Sequence, residues 1–198
     1  MSRARIAILV SGGGRTAANI AAACRSGALD AEVALVLAHR EEAPAVDRMR
    51  AEGLRVAVLP AGADLDGRID TVLAHAGTDL VCLAGYLRKF RVGERWRGRT
   101  LNIHPGLLPR FGGTGMYGLH VHRAVLAAGE RESGCTVHEV DEEYDHGATV
   151  LERRCPVHAG DTPESLAERV FALELEAFPA AIAHRLRTLP RETAPSLR

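Results

Sequence analysis

The sequence predicts an α/β protein: a doubly wound, mostly parallel sheet with an antiparallel addition towards its C-terminus. Three observations predict it. Short apolar runs alternate with helical patterns through the first half of the chain. The first run passes straight into a glycine turn and a helix. Two later runs, over 133–140 and 149–157, alternate polar and apolar residues, as strands with one face in a core do.

The opening run over 5–10 is continuously apolar, the pattern of a strand covered on both faces. Ser11-Gly-Gly-Gly-Arg-Thr16 follows, then an alanine-rich helix over 17–26 closed by Gly27. A strand, a glycine turn and a helix start aim backbone N–H groups and a positive helix end at an anion. Gly12-x-Gly14-x-x-Ala17 also fits the dinucleotide fingerprint, but the next strand, over 32–38, ends in His39-Arg40 with no acidic residue at its tip. The phosphate-loop lysine is absent as well, so one phosphate on a small metabolite is the economical reading.

The alternation continues with a helix over 44–52, a strand over 54–59, a helix over 66–76 and a strand over 80–84. Right-handed crossovers then bring the strand C-termini to one edge. At that edge stands Thr100-Leu-Asn-Ile-His-Pro105, whose Asn102 and His104 share one side of an extended backbone. Pro105 cannot donate to a sheet ladder, so the strand stops where the imidazole appears. The glycine turn, residues 85–88 and the Asn102/His104 pair therefore share a rim.

Residues 111–118 are glycine-rich and read as a mobile loop beside that rim. His120 and His122 open the next helix, over 119–128; on a helix they face different ways, whereas on a strand they could chelate, and with His104, His138 and His146 nearby in sequence a metal site is an alternative. Between the two alternating strands lies an acidic loop, from which Asp145 can partner His104 and keep its ring protonated near neutral pH. Thr162 and Pro163 start a helix as N-cap and first-turn residue. Glu174 sits at the border of that helix's apolar stripe, either snorkelling or reaching for a cationic ligand group. Pro179 kinks or ends the helix, and a second piece runs through Arg187. A single domain over 1–187 with a loose tail over 188–198 is the expected organisation.

Composition restricts the rest. With 198 residues, 46% of them apolar, the chain has enough for one sizeable core. A formal net charge of zero gives no global field for nucleic acid. Cys24, Cys82, Cys135 and Cys155 form no C-x-x-C, and no signal-peptide pattern or membrane-length apolar run occurs. A cytoplasmic protein acting on small molecules, monomeric or weakly homodimeric, is expected.

Several fragments together resemble the folate-dependent formyltransferases, over about residues 6–183. They are Asn102-Ile-His-Pro-Gly-Leu-Leu-Pro109, Val140-Asp-Glu-Glu-Tyr-Asp145, Leu83-Ala-Gly-Tyr-Leu-Arg88 and Ser11-Gly-x-Gly14. The resemblance implies a Rossmann-like fold and transfer of a formyl group from 10-formyltetrahydrofolate, a co-substrate, to the amine of glycinamide ribonucleotide, without a metal. It implies Asn102 and His104 flanking the formyl carbon, with Asp145 assisting His104. It also implies that Leu87, Arg88, Lys89, Phe90, Asn102, Val140 and Asp141 hold the formyl folate. Gly14, Arg15 and Thr16 would bind the phosphate and Glu174 the glycinamide end. The same trio acting on another amine, by transfer or hydrolysis, is one alternative. A nucleotide-binding module without catalysis is the other.

Overall fold

The computed structural model describes residues 3–189. Seven strands form one sheet: β1 (Ala4–Val10), β2 (Ala31–Ala38), β3 (Val56–Val58), β4 (Leu80–Leu83), β5 (Thr100–His104), β6 (Glu132–Glu139) and β7 (Thr149–Pro156). Five α-helices accompany them: α1 (Arg15–Ser26), α2 (Pro44–Ala51), α3 (Leu65–His75), α4 (Leu119–Ala127) and α5 (Pro163–Thr188). Spatial order is β3-β2-β1-β4-β5-β6-β7. The β1–β2, β1–β4, β2–β3 and β4–β5 pairs are parallel, and β6 and β7 join antiparallel, as the sequence pattern predicts.

The continuous apolar pattern of β1 has a direct cause. Ile6, Ile8 and Val10 face a core shared with α1, α2, α4 and α5, whereas Ala7 and Leu9 face a second core with α3 and Trp96. Alternate residues of one strand thus serve two layers. Strand order reverses between β1 and β4, so a crevice opens at their carboxyl ends. Two hydrogen bonds tie its rim: Ser11 N–H donates to the Gly85 carbonyl (3.1 Å), and Leu87 N–H to Ser11 Oγ (2.9 Å).

Helix α5 begins as expected. Thr162 Oγ1 accepts from Ser165 N (3.2 Å) and Ser165 Oγ from Thr162 N (3.0 Å), a reciprocal cap with Pro163 in the first turn. Its end departs from expectation. The helix runs unbroken through Pro179 to Thr188, so the tail expected from 188 starts no earlier than 189, and residues 190–198 lie outside the described part. Proline removes the N–H that would bond the carbonyl four residues back, that of Leu175. Asn19 of α1 supplies the missing donor, its Nδ2 lying 2.7 Å from the Leu175 oxygen. Ala177, Phe178, Ala181 and Ile182 around the proline are buried, which holds both halves against the sheet. The other differences are small: α1 starts two residues early, and edge strand β3 keeps only Val56–Val58 of the expected run.

If Asn19 completes the helix at Pro179, the two residues are energetically coupled. Asn19→Ala in the wild-type background should lose about 1 kcal/mol more stability than in a Pro179→Ala background, where the helix regains its own N–H. Urea denaturation of the four proteins measures this; strictly additive effects would show that the contact carries no weight.

Candidate active site

Asn102 and His104 end β5, and the antiparallel register of β6 sets His138 directly opposite Asn102 and Thr136 opposite His104. Cross-strand pairing therefore explains the 3.0 Å contact between Asn102 Nδ2 and His138 Nε2. His138 Nδ1 lies 2.7 Å from the Glu139 carbonyl and must donate to it. Where Nε2 is unprotonated it accepts from the Asn102 amide, and where it carries a proton it faces the Asp145 carboxylate at 3.4 Å. Thr136 pins the turn after His104: its Oγ1 donates to the Gly106 carbonyl (2.8 Å) and accepts from Leu108 N–H (3.3 Å).

Asp145 reaches this group from the β6–β7 loop, with φ at +55°, in the left-handed region that aspartate and asparagine tolerate best among side-chain-bearing residues. One carboxylate oxygen lies 3.4 Å from His104 Nδ1 and accepts the Gly113 N–H at 2.9 Å. The other lies 3.4 Å from His138 Nε2 and 3.5 Å from Asn102 Nδ2. Gly112 permits this approach, since a Cβ there would stand only 3.0 Å from the Asp145 Cβ. The sequence reading that an amide, an imidazole and a carboxylate converge is met, and His138 joins them.

The protonation expected for His104 is overturned. Its ring is 3% exposed, and burial lowers its pKa below the ordinary value, against the opposing pull of Asp145 and of the Phe111 carbonyl 2.6 Å from Nε2. The cost of burying a charged ring exceeds the attraction of a carboxylate at 3.4 Å. Burial alone would raise Asp145. The imidazoles of His138 and His104 and the Gly113 N–H outweigh it and hold the carboxyl below its usual range.

A cavity of about 550 Å³ opens over these residues. Asn102, His104 and Asp145 line its middle, Gly12, Arg15 and Thr16 line the wall formed by the glycine turn, and Glu174 lines the wall formed by α5. Residues 113–118 of the glycine-rich loop form a further wall. Gly14 does not line the cavity. Its φ of +71° and the 2.8 Å that would separate its Cβ from Ala45 Cβ make it the place where the turn packs on α2. The first turn of α1 has no side-chain cap, so its N–H groups are available to an anion. Arg15 forks onto Glu168 at 2.8 and 2.9 Å and lies 3.8 Å above the Phe171 ring. Burial lifts the Glu174 carboxyl to about 8, with the charge of Arg15 opposing.

Asn102 and Asp145 also border a smaller pocket of about 50 Å³. Of the residues expected to hold the formyl folate, Arg88, Lys89, Phe90, Asn102, Val140 and Asp141 line this pocket; Leu87, 56% exposed, lines the larger cavity instead. His120 and His122 diverge on α4 as a helical spacing requires. His120 is exposed, whereas His122 lies 3% exposed beside the cavity, pushed down to about 4 by burial. Among the described residues no cluster of three His, Cys, Asp or Glu is placed to hold a metal ion. No helix there is long and apolar enough to cross a membrane.

Residues 4–182 match the family model described as formyl transferase. The chain belongs to the formyl transferase family. It is 41% identical over 176 residues to the chloroplastic phosphoribosylglycinamide formyltransferase of Arabidopsis thaliana, covering 85% of this chain and 60% of that protein. It is 38% identical over 190 residues to the trifunctional purine biosynthetic protein adenosine-3 of Drosophila pseudoobscura pseudoobscura, covering 91% of this chain and 14% of that protein. It therefore spans less than two thirds of either relative. Its structure resembles glycinamide ribonucleotide transformylase 1 of Symbiobacterium toebii with a TM-score of 0.86 and 35% identity, covering 97% of this chain and 92% of that one. The chain thus shares its fold with that solved structure.

Glu174 offers a stability test. A carboxyl whose native pKa of about 8 exceeds its unfolded value of 4.5 favours folding fully below pH 4.5 and loses that contribution as pH rises through 8. Glu174→Gln should therefore match wild type below pH 4.5 and exceed it by on the order of 5 kcal/mol above pH 8. Denaturation midpoints across this range measure the difference, and a constant gap would refute the raised pKa.

Proposed function

We propose that the chain transfers a formyl group from 10-formyltetrahydrofolate to the glycinamide amine of 5′-phosphoribosylglycinamide, a step of purine synthesis. One observation carries this reading: a single cavity joins an anion-binding turn, a buried acid and an amide–imidazole–carboxylate group, as a phosphorylated amine acceptor requires. The adjoining pocket between residues 88–90 and the β6–β7 loop is where the formyl folate would sit, with its formyl carbon near Asn102. The names of the relatives favour the same acceptor. Four free, buried cysteines suit a reducing compartment such as the cytoplasm.

The chemistry follows from the hydrogen bonds. One Asn102 N–H is committed to His138 at 3.0 Å, and the other faces Asp145 at 3.5 Å, too long to hold it. That second N–H is available to the oxygen that turns negative as the amine adds to the formyl carbon. Burial keeps His104 neutral near pH 7, so it can accept the proton that the attacking amine sheds. Asp145, 3.4 Å from Nδ1, stabilises the imidazolium as it forms. The proton then passes to N10 of the departing folate, the C–N10 bond breaks, and no net proton is gained by the protein. Glu174 orients the amine end, and the α1 N-terminus with Arg15 and Thr16 takes the phosphate.

Incubation of the purified protein with both substrates, following the deformylated folate by absorbance, should show turnover. His104→Asn and Asp145→Asn should each lower kcat by about 100-fold or more. Asp145→Asn should keep the fold, because asparagine also accepts the left-handed conformation of residue 145, and circular dichroism checks that both variants fold. No turnover by the wild-type protein would remove the proposed reaction; wild-type rates from both variants would remove the assigned roles.

A further inference from the structure

Arg15 is electrostatically misplaced as the first residue of α1. A cation at a helix N-terminus is disfavoured, and the first turn carries no acidic side chain to balance it. Its balance comes from 153 positions away: both Glu168 oxygens accept from the guanidinium, at 2.8 and 2.9 Å. The two side chains are 52% and 67% exposed, and both line the large cavity. The Phe171 ring supports the guanidinium from one side at 3.8 Å. A carboxylate of the chain therefore occupies the bidentate position that a bound anion would use. An exposed pair of this kind is weakly held, whereas a phosphate dianion carries more charge and three acceptor oxygens.

We propose that Glu168 is a resident substitute for the phosphate of the acceptor, holding Arg15 in place until the phosphate displaces it. This rests on the phosphate-binding half of the proposed function. Arg15 stays stacked on Phe171 during the exchange, and only Glu168 swings away. Each binding event must then break the Arg15–Glu168 fork and seat the phosphate against a released carboxylate. A ligand with a single negative charge gains little from the exchange, so Glu168 acts as a specificity residue favouring phosphorylated acceptors.

Calorimetric titration of inorganic phosphate into wild type, Glu168→Gln, Arg15→Met and the Arg15→Met/Glu168→Gln double variant tests the exchange without turnover. Glu168→Gln should bind phosphate about three- to fivefold more tightly than wild type, the factor that an exposed ion pair supplies. Relative to Arg15→Met alone, the double variant should gain much less. In the formyl-transfer assay the same Gln substitution should lower the acceptor KM by a similar factor, more than it changes kcat. Equal or weaker phosphate binding by Glu168→Gln would overturn the proposal. Absence of turnover in wild type would count against the reaction alone, since the phosphate titration still decides the exchange.

Discussion

The carboxylate of Asp145 is the contact on which the site depends. Three segments distant in sequence meet there: the end of β5 through His104, β6 through His138, and the glycine-rich loop through the Gly113 N–H. With its side chain only 11% exposed, the carboxylate has little water to satisfy it and draws these groups inward. The backbone adopts a positive φ at this residue to present the side chain, a cost that the surrounding contacts offset. The same loop also meets the His104 ring directly, through the Phe111 carbonyl 2.6 Å from Nε2.

Electrostatics in the cavity are a contest between burial and charge, and burial decides several protonation states. It keeps His104 and His122 neutral and protonates Glu174 near neutral pH, while Asp145 stays ionised because its neighbours outweigh desolvation. A titratable acid held at about 8 inside a helix face costs stability as it ionises, which a glutamine would avoid. Its place in the cavity wall, beside an ionised Arg15 paired elsewhere, is consistent with a group retained for a ligand. The topology supplies the location: the crevice lies at the carboxyl ends of β1 and β4, where strand order reverses.

Local patterns made much of this legible in the sequence. The apolar run of β1, its glycine turn and α1, the polar pair two apart before Pro105, and the Thr162-Pro163 start all signal through neighbours in the chain. What stayed hidden depends on register and tertiary contact. His138 faces Asn102 only because β6 pairs with β5 at one particular offset, which alternation alone does not specify. The continuity of α5 through Pro179 depends on Asn19, on another helix. Gly14 belongs to the turn motif, yet the approach of Ala45 turns it inward and leaves Gly12 on the cavity. The neutral state of His104 follows from the depth of its burial, which no spacing rule conveys.

NMR titration of the His104 ring in wild type and in Asp145→Asn tests the central contact most directly. If the carboxylate gathers the site, the wild-type ring titrates below 6.5 and the variant ring lower still, because the Asp145 charge that opposes desolvation is gone while the burial remains. An unchanged or higher pKa in the variant would show that Asp145 does not act on His104, and the account of the site would fail.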